Sequence, residues 1–247
     1  MANSSEQLAS EKRLAAEAAL RWVHSGMTVG LGSGTTAAFF IAALGERVRA
    51  GALKIEAVAS SRTSEEAALA AGIFVTAPRR GLRLDLAVDG ADEITPELDL
   101  LKGRGGALLR EKVVAQASRY FLVIADSSKR VEEFGKSAIA VEVVPFALPW
   151  AADWIQELGG QPVLRKDHMS PEKPFCTDQE NYILDCRFQK WGDARALAAK
   201  IEELPGVVEH GLFLGCAKAA LIAEGNEVRV QLPGRAPVAL ADFPLPQ

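Results

Sequence analysis

Three short stretches of this chain bring together residue types that could do chemistry. In AVDGADEIT (87–95), an apolar run from Leu86 to Val88 ends in Asp89, Asp92 and Glu93. Three carboxylates within five residues repel one another and have no local basic partner. Such a cluster is either a solvated acidic turn or a place where a ligand, a metal or a reaction uses the charge. A hard cation wants several oxygens, and neither a second acidic cluster nor a well-placed histidine accompanies this one. Two close carboxylates also push one pKa upward, which keeps one of them protonated and able to donate.

The second stretch is GLGSGTTAAFF (30–40). Glycines between a strand and a helix let backbone amides turn toward an anion. The helix N-terminus adds partial positive charge, and Ser33, Thr35 and Thr36 add hydroxyls, so phosphate is the natural ligand. It is not a Walker loop, because no Gly-Lys-Ser/Thr follows, and Thr35 stands where a dinucleotide fingerprint needs its third glycine. A plain glycine turn with a threonine cap fits the same residues. The third stretch, LLKGRGGALLREK (100–112), sets Lys102 before a glycine-rich turn and Glu111 in the second turn of a helix that begins near Ala107. Glu111, flanked by Arg110 and Lys112, could be an ordinary surface residue. The same pair is also what proton abstraction beside a carbonyl requires: a carboxylate base and a fixed cation for the growing oxyanion.

These stretches need a scaffold, and the pattern supplies one. An amphipathic helix over 8–24 is followed by strands at 27–31, 54–60, 73–77, 83–89 and 120–126, with helices between them over 37–51, from about Thr63 to Gly72, and over 106–118. Thr63 and Glu66 have capping-box spacing for the second of these helices. Continuous apolar strands alternating with helices predict an α/β fold with a Rossmann-like, mostly parallel sheet and helices on both faces. Ligands in such folds sit at the carboxyl ends of strands, so the loops starting at Gly32, Ser60, Asp89 and Asp126 should gather at one edge. After about residue 134 the texture changes. AIAVEVVP and NYILDCRF read as strands, with helices opening at Pro149 and Asp193. A smaller α+β, ferredoxin-like domain is expected over 135–206, with 1–134 and 207–247 forming the catalytic domain and the chain rejoining the first sheet near residue 207.

The 247 residues carry a net charge of −4 and no run of like charge, which argues against a nucleic-acid surface. Cys176, Cys186 and Cys216 form no CxxC and no ligand spacing with a histidine, so neither a zinc site nor a disulfide framework is indicated. With no apolar signal core and no long apolar run, a cytoplasmic protein without a membrane partner is expected. His24, His168 and His210 are scattered and read as surface or packing residues. Trp150 and Trp154, one helical turn apart, read as a core or dimer-contact stripe.

The motifs GLGSGTTAAFFI, AVDGADEIT, LKGRGGALLREKVVA and VIADSSK, in this order and spacing, resemble the ribose-5-phosphate isomerase A family, and VEVVPFA, NYILDC and PGVVEHGLF extend the likeness over essentially the whole chain. The resemblance implies interconversion of D-ribose 5-phosphate and D-ribulose 5-phosphate through an enediolate, in the non-oxidative pentose phosphate pathway, by a homodimer without metal or organic cofactor. It implies Glu111 as general base, Lys102 as the oxyanion stabiliser, and Asp89 and Asp92 as the pair that binds the sugar hydroxyls and serves ring opening or oxygen-to-oxygen proton transfer. Ser33, Gly34, Thr35 and Thr36 fall on the substrate loop, Lys129 and Lys12 near the phosphate, and Gly90, Ala91, Gly103, Arg104 and Gly105 in the substrate-contacting turns. Two positions depart from the family pattern. Gly-Ser-Gly-Thr-Thr replaces Gly-Thr-Gly-Ser-Thr, and Arg104 stands in a turn the family fills with glycines. If that position needs φ > 0, an arginine costs about 1–2 kcal/mol; otherwise its side chain reaches solvent or adds a cation at the mouth of the site. The competing readings are a non-catalytic sugar-phosphate sensor, for which residues 1–26 are too short to carry a helix-turn-helix, an isomerase of another sugar phosphate, and a coenzyme A transferase, in which the acidic turn would have no use.

Overall fold

The computed structural model describes residues 4–189 and 191–244; residues 1–3, Lys190 and 245–247, which the expected domain ranges take in, lie outside them. In chain order the first elements are α1 (Ser5–Ala19), β1 (Thr28–Leu31), α2 (Gly34–Arg49), β2 (Glu56–Ala59), α3 (Arg62–Ala70) and β3 (Leu84–Asp89). Two short strands, β4 (Glu93–Ile94) and β5 (Leu100–Leu101), lead to α4 (Leu108–Ala117) and β6 (Ser118–Asp126). The next segment holds β7 (Ile139–Val143), α5 (Leu148–Glu157), β8 (Gly160–Leu164), β9 (Tyr182–Phe188), α6 (Ala194–Glu202) and β10 (Val207–His210). The chain ends in β11 (Leu212–Phe213), β12 (Ala219–Glu224), β13 (Glu227–Gln231) and β14 (Val238–Ala239).

The large sheet has the order β14-β13-β12-β6-β3-β1-β2. Its pairings from β12 through β6, β3 and β1 to β2 are parallel, while β13 and β14 add an antiparallel edge. Both faces are covered, and the period-2 alternation of strands divides the side chains between them. Leu122 and Ile124 face the layer of α1 and α2 with Ala15, Phe40 and Leu44, whereas Phe121, Val123 and Ala125 face α4 with Val114 and Ala115. This is the doubly covered, mostly parallel sheet expected from the apolar runs.

Four local differences appear. The residues around Val75 make a single parallel bridge to Ala57 rather than a strand; they lie at the sheet edge just before Pro78, which has no N–H to continue pairing. Helix α3 is capped by Ser61, whose side chain accepts from Ser64 N, so it begins before Thr63. The strand Val207–His210 pairs with β7 in a second sheet, β10-β7-β9-β8, so the chain rejoins the large sheet later, through β12. Finally, β11 joins β5 and β4 in a small antiparallel sheet that links the two larger ones. The second sheet is covered by α5 and α6, whose Ala151, Ile155, Leu197 and Ile201 pack on Ile139, Val141 and Leu184.

One buried acid ties the N-terminal helix down. Glu11, 0% exposed, accepts from Gln7 Nε2 (3.1 Å), Ser127 N (3.0 Å), Ser127 Oγ (2.7 Å) and Gly225 N (2.9 Å). Burial alone would raise its pKa; the hydrogen bonds to the carboxylate outweigh it and hold it below the usual glutamate value. Helix α1 is thereby fastened to the end of β6 and to the β12–β13 turn.

Candidate active site

The site begins where β1 and β3 end side by side. Gly32 N donates to Val88 O at 2.9 Å, and Ser33 N and Gly90 N both donate to Asp89 Oδ1, at 3.0 and 2.7 Å. Position 32 must be glycine, because a Cβ there would lie 2.1 Å from the Asp89 carboxylate. One oxygen of Asp89 thus knits the two strand ends together. The other, Oδ2, faces Lys102 Nζ at 3.0 Å.

Lys102 reaches the same point from the turn after β5. Its backbone is fixed by the bond from its N–H to Gly211 O (2.8 Å) and by Gly103, whose φ of +105° only glycine adopts readily. The ammonium donates to Gly90 O at 2.6 Å and stands 3.3 Å from Glu111 Oε2. Lys102 and Glu111 are 4% and 6% exposed. Glu111 Oε2 has no aligned hydrogen bond: the ammonium points its aligned bond at Gly90 O and its closer carboxylate contact is Asp89. Burial raises the Glu111 pKa to about 7; Lys102 opposes the rise, and Asp89 and Asp92 add to it. Burial would lower Lys102, but Asp89 and Glu111 beside it win, so it stays firmly protonated. One lysine cannot neutralise two buried carboxylates, and Glu111 is the one left poised to take a proton near neutral pH.

At the other end lies the N-terminus of α2. Ser33 occupies its cap position without a side-chain cap bond; its hydroxyl pairs instead with Ser60 Oγ at 2.7 Å. Ser64 Oγ supports the turn by donating to Gly32 O at 2.6 Å. The first-turn amides therefore have no capping oxygen, which suits an anion. A cavity of about 90 Å³ runs from this end, lined by Ser33, Gly34, Thr35 and Thr36 with Lys12 and Lys129, to the other, lined by Gly90, Ala91, Asp92, Lys102, Gly103, Arg104, Gly105 and Glu111. Asp89 lies beneath it, joined through Lys102. The loops after β1, β2, β3 and β6 gather at one edge, as the strand pattern implies.

Several partnerships had no local signal in the sequence. Glu93, the third acid of the opening cluster, is buried and accepts from the amides of Gly135 and Ser137, so its charge anchors a loop. Arg104 has no positive φ, since among the described non-glycine residues only Leu98 and Glu180 do. The backbone strain considered for it does not arise; its N–H donates to Asp92 Oδ2 at 3.1 Å. Arg165, from the second sheet, pairs with Asp185 and donates to Gly103 O (2.8 Å) and Arg104 O (3.2 Å), bracing the Lys102 turn from outside. Ser60 and Ser64 support the anion end; serines directly after an apolar strand were the one visible hint of them.

Behind Glu111 on the same helix, Lys112 enters a different cluster. It contacts Glu209 and donates to His210 O at 2.8 Å. His210 Nε2 lies 3.0 Å from Glu202 Oε1, and His210 Nδ1 accepts from Leu212 N at 3.2 Å. Glu202, Glu209 and His210 converge closely enough to hold a metal, yet the Lys112 ammonium already supplies the cation. Burial lowers the His210 pKa to about 4, with Lys112 adding to the shift and Glu209 opposing it. His210 is a neutral core histidine.

A parallel sheet whose strand ends carry a buried carboxylate–lysine–carboxylate cluster opposite an uncapped helix N-terminus defines an α/β enzyme for small anionic substrates. Residues 56–227 match the family model of ribose 5-phosphate isomerase A (phosphoriboisomerase A). The ribose-5-phosphate isomerase A of Roseiflexus castenholzii is 50% identical over 216 residues, covering 86% of this chain and 91% of that protein. Among solved structures, ribose 5-phosphate isomerase A from Methanocaldococcus jannaschii superposes with a TM-score of 0.86 at 35% identity, over 93% of this chain and 100% of that one. A D-ribose-5-phosphate isomerase in complex with phospho-erythronic acid superposes with a TM-score of 0.88 at 31% identity, over 91% and 99% of the two chains. The chain belongs to the ribose 5-phosphate isomerase A family.

Proposed function

We propose that this protein interconverts D-ribose 5-phosphate and D-ribulose 5-phosphate, as a step of the non-oxidative pentose phosphate pathway. The observation that carries the mechanism is the pairing of a buried, proton-hungry Glu111 with a charged Lys102 at 3.3 Å. The substrate phosphate binds at the N-terminus of α2 with Thr35, Lys12 and Lys129. Asp92, in the cavity lining, holds the sugar hydroxyls and serves ring opening, while Asp89 beneath it acts through Lys102. In the open aldehyde, Glu111 removes the C2 proton and the electron pair moves into an enediolate whose oxygen faces Lys102; the O2 proton passes to O1 on the Asp92 side, and Glu111 returns the carbon proton to C1 as the C2 carbonyl forms. General acid–base catalysis gives about 10²–10⁴-fold and one oxyanion donor about 10²–10³-fold. Neither suffices alone, and a bound phosphate that fixes the sugar adds the positioning term. The solved relative in complex with phospho-erythronic acid, a phosphorylated four-carbon acid, supports a small phosphorylated ligand for this fold. No helix among the described residues is long and apolar enough to cross a membrane, and the reading includes a cytoplasmic homodimer. The exposed Phe146 and Trp150, with ring centroids 5.7 Å apart, offer a second copy an aromatic face.

The test is an isomerase assay on ribose 5-phosphate, wild type beside Glu111→Gln, with and without EDTA. Turnover that survives the chelator and collapses in the variant is expected. A wild type that binds ribose 5-phosphate without converting it would replace this reading with a sensor or with another sugar phosphate.

A further inference from the structure

Next to the Gly103–Arg104 end of the cavity lies a larger hollow of about 410 Å³. The two share Asp92 and Arg104. Most of the remaining lining is basic: Lys136, Arg165, Arg187 and His168, against one further acid, Asp185. Arg165 and Asp185 neutralise each other, and Asp92 accepts from the Arg104 amide. Arg104, Lys136 and Arg187 are exposed, and among the described residues none of the three is held by a carboxylate. Arg104, Lys136 and Arg187 outnumber Asp92, the one lining carboxylate without an ion-pair partner, so the hollow is net positive on a chain whose net charge is −4. A surface built only for solubility would intersperse them with acids. The backbone of Arg104 is also pinned on both sides, its N–H by Asp92 and its carbonyl by Arg165, so the guanidinium extends from a fixed point between the two spaces.

We infer that this hollow is a second anion subsite, continuous with the reacting end of the cavity, and that it accepts sugar phosphates charged at both ends. The inference rests on the reading above, in which the first phosphate sits at α2 and the reacting carbons at Glu111 and Lys102. The C1 end of the sugar then points toward Arg104, and a phosphoryl group on C1 falls among the three cations. A C1 phosphate ester has no free aldehyde to isomerise. Such bisphosphates therefore occupy the site without turnover, and monophosphate conversion becomes sensitive to their concentration.

Calorimetry with the full chain tests this, using ribitol 5-phosphate and ribitol 1,5-bisphosphate. Neither can be isomerised, so their binding is read independently of turnover, and a parallel assay on ribose 5-phosphate reports separately on the proposed activity. At low salt the bisphosphate should bind about tenfold more tightly, with the advantage shrinking as ionic strength rises. In the double variant Lys136→Ser, Arg187→Ser the advantage should fall to about twofold or less, with the KM for ribose 5-phosphate unchanged. Arg104→Gly should reduce the same ratio independently. Equal affinities for the two ligands in the wild type, or an advantage that survives in both variants, overturns the subsite.

Discussion

Helix α4 places two ionic clusters one residue apart, and they are opposites. Glu111 turns into a group in which one lysine serves two carboxylates and one carboxylate oxygen lacks an aligned donor. Lys112 turns into a group where ammonium, carboxylates and imidazole all find partners. Both lysines lie over the same ring, Phe213, at 5.5 and 4.9 Å from its centroid. The charge count is the same, one ammonium and two carboxylates, and what separates the clusters is burial and satisfaction: Asp89 and Glu111 are shut away from water, whereas Glu202 is mostly exposed and Lys112 and Glu209 are partly so. An incompletely compensated carboxylate holds a proton loosely near neutrality and can do chemistry, whereas a closed network fixes geometry and stays inert.

That contrast can be broken from either side. The largest expected effect is Glu111→Gln, which should lower kcat by about 10³-fold or more while raising thermal stability. A carboxyl whose folded pKa is raised is favourable in its protonated form, and that advantage is lost as pH climbs through about 7. The stability gained by the variant should therefore be about 1–3 kcal/mol at pH 8.5 and vanish near pH 4.5, read as melting temperature against pH. Lys102→Met should cost about 10²–10³-fold in kcat with a smaller change in KM. Lys112→Met should do the reverse, lowering stability by about 2 kcal/mol through the stranded Glu209 and leaving turnover per folded molecule within about threefold of wild type. In the wild type, kcat/KM should fall on the acid side of about pH 7 as Glu111 takes up its proton. The smallest effect concerns His210, whose depressed pKa means that stability is lost as pH drops from 6.5 through about 4. His210→Asn should flatten that part of the acid unfolding curve without moving the acid limb of activity.

The reactive cluster was readable because its parts are local. Strand, glycine turn and helix start fall within a dozen residues of Asp89, Lys102 and Glu111, and each turn has a composition that only a special backbone needs. Apolar runs such as 120–126 gave the parallel sheet for the same reason. The inert cluster was not readable: Lys112 and Glu209 are 97 positions apart, and His210 has no neighbour in sequence that marks it as buried. Arg165 reaches the Lys102 turn from across the fold, and Glu93 looked like part of the acidic site until its amide partners at Gly135 and Ser137 were seen. The expected return to the large sheet near residue 207 came too early because Val207 and Val208 suit a strand of either sheet, and only pairing with β7 decides between them. Side chains whose partners lie far along the chain leave no periodic trace.

The fastening of Glu11 to Gly225, with β12 seated between β6 and β13, also constrains the order in which the molecule can be built. The helix that carries Lys12 is made before every strand of the large sheet, yet its buried acid has to wait for Gly225, beyond β12, before the last of its hydrogen bonds closes. Until β12 arrives, β6 presents an open edge of unpaired backbone groups, the kind of edge that recruits wrong partners. A nascent chain stopped short of Ala219 should therefore aggregate rather than fold to a smaller sheet, and the phosphate end of the site should be among the last parts to form.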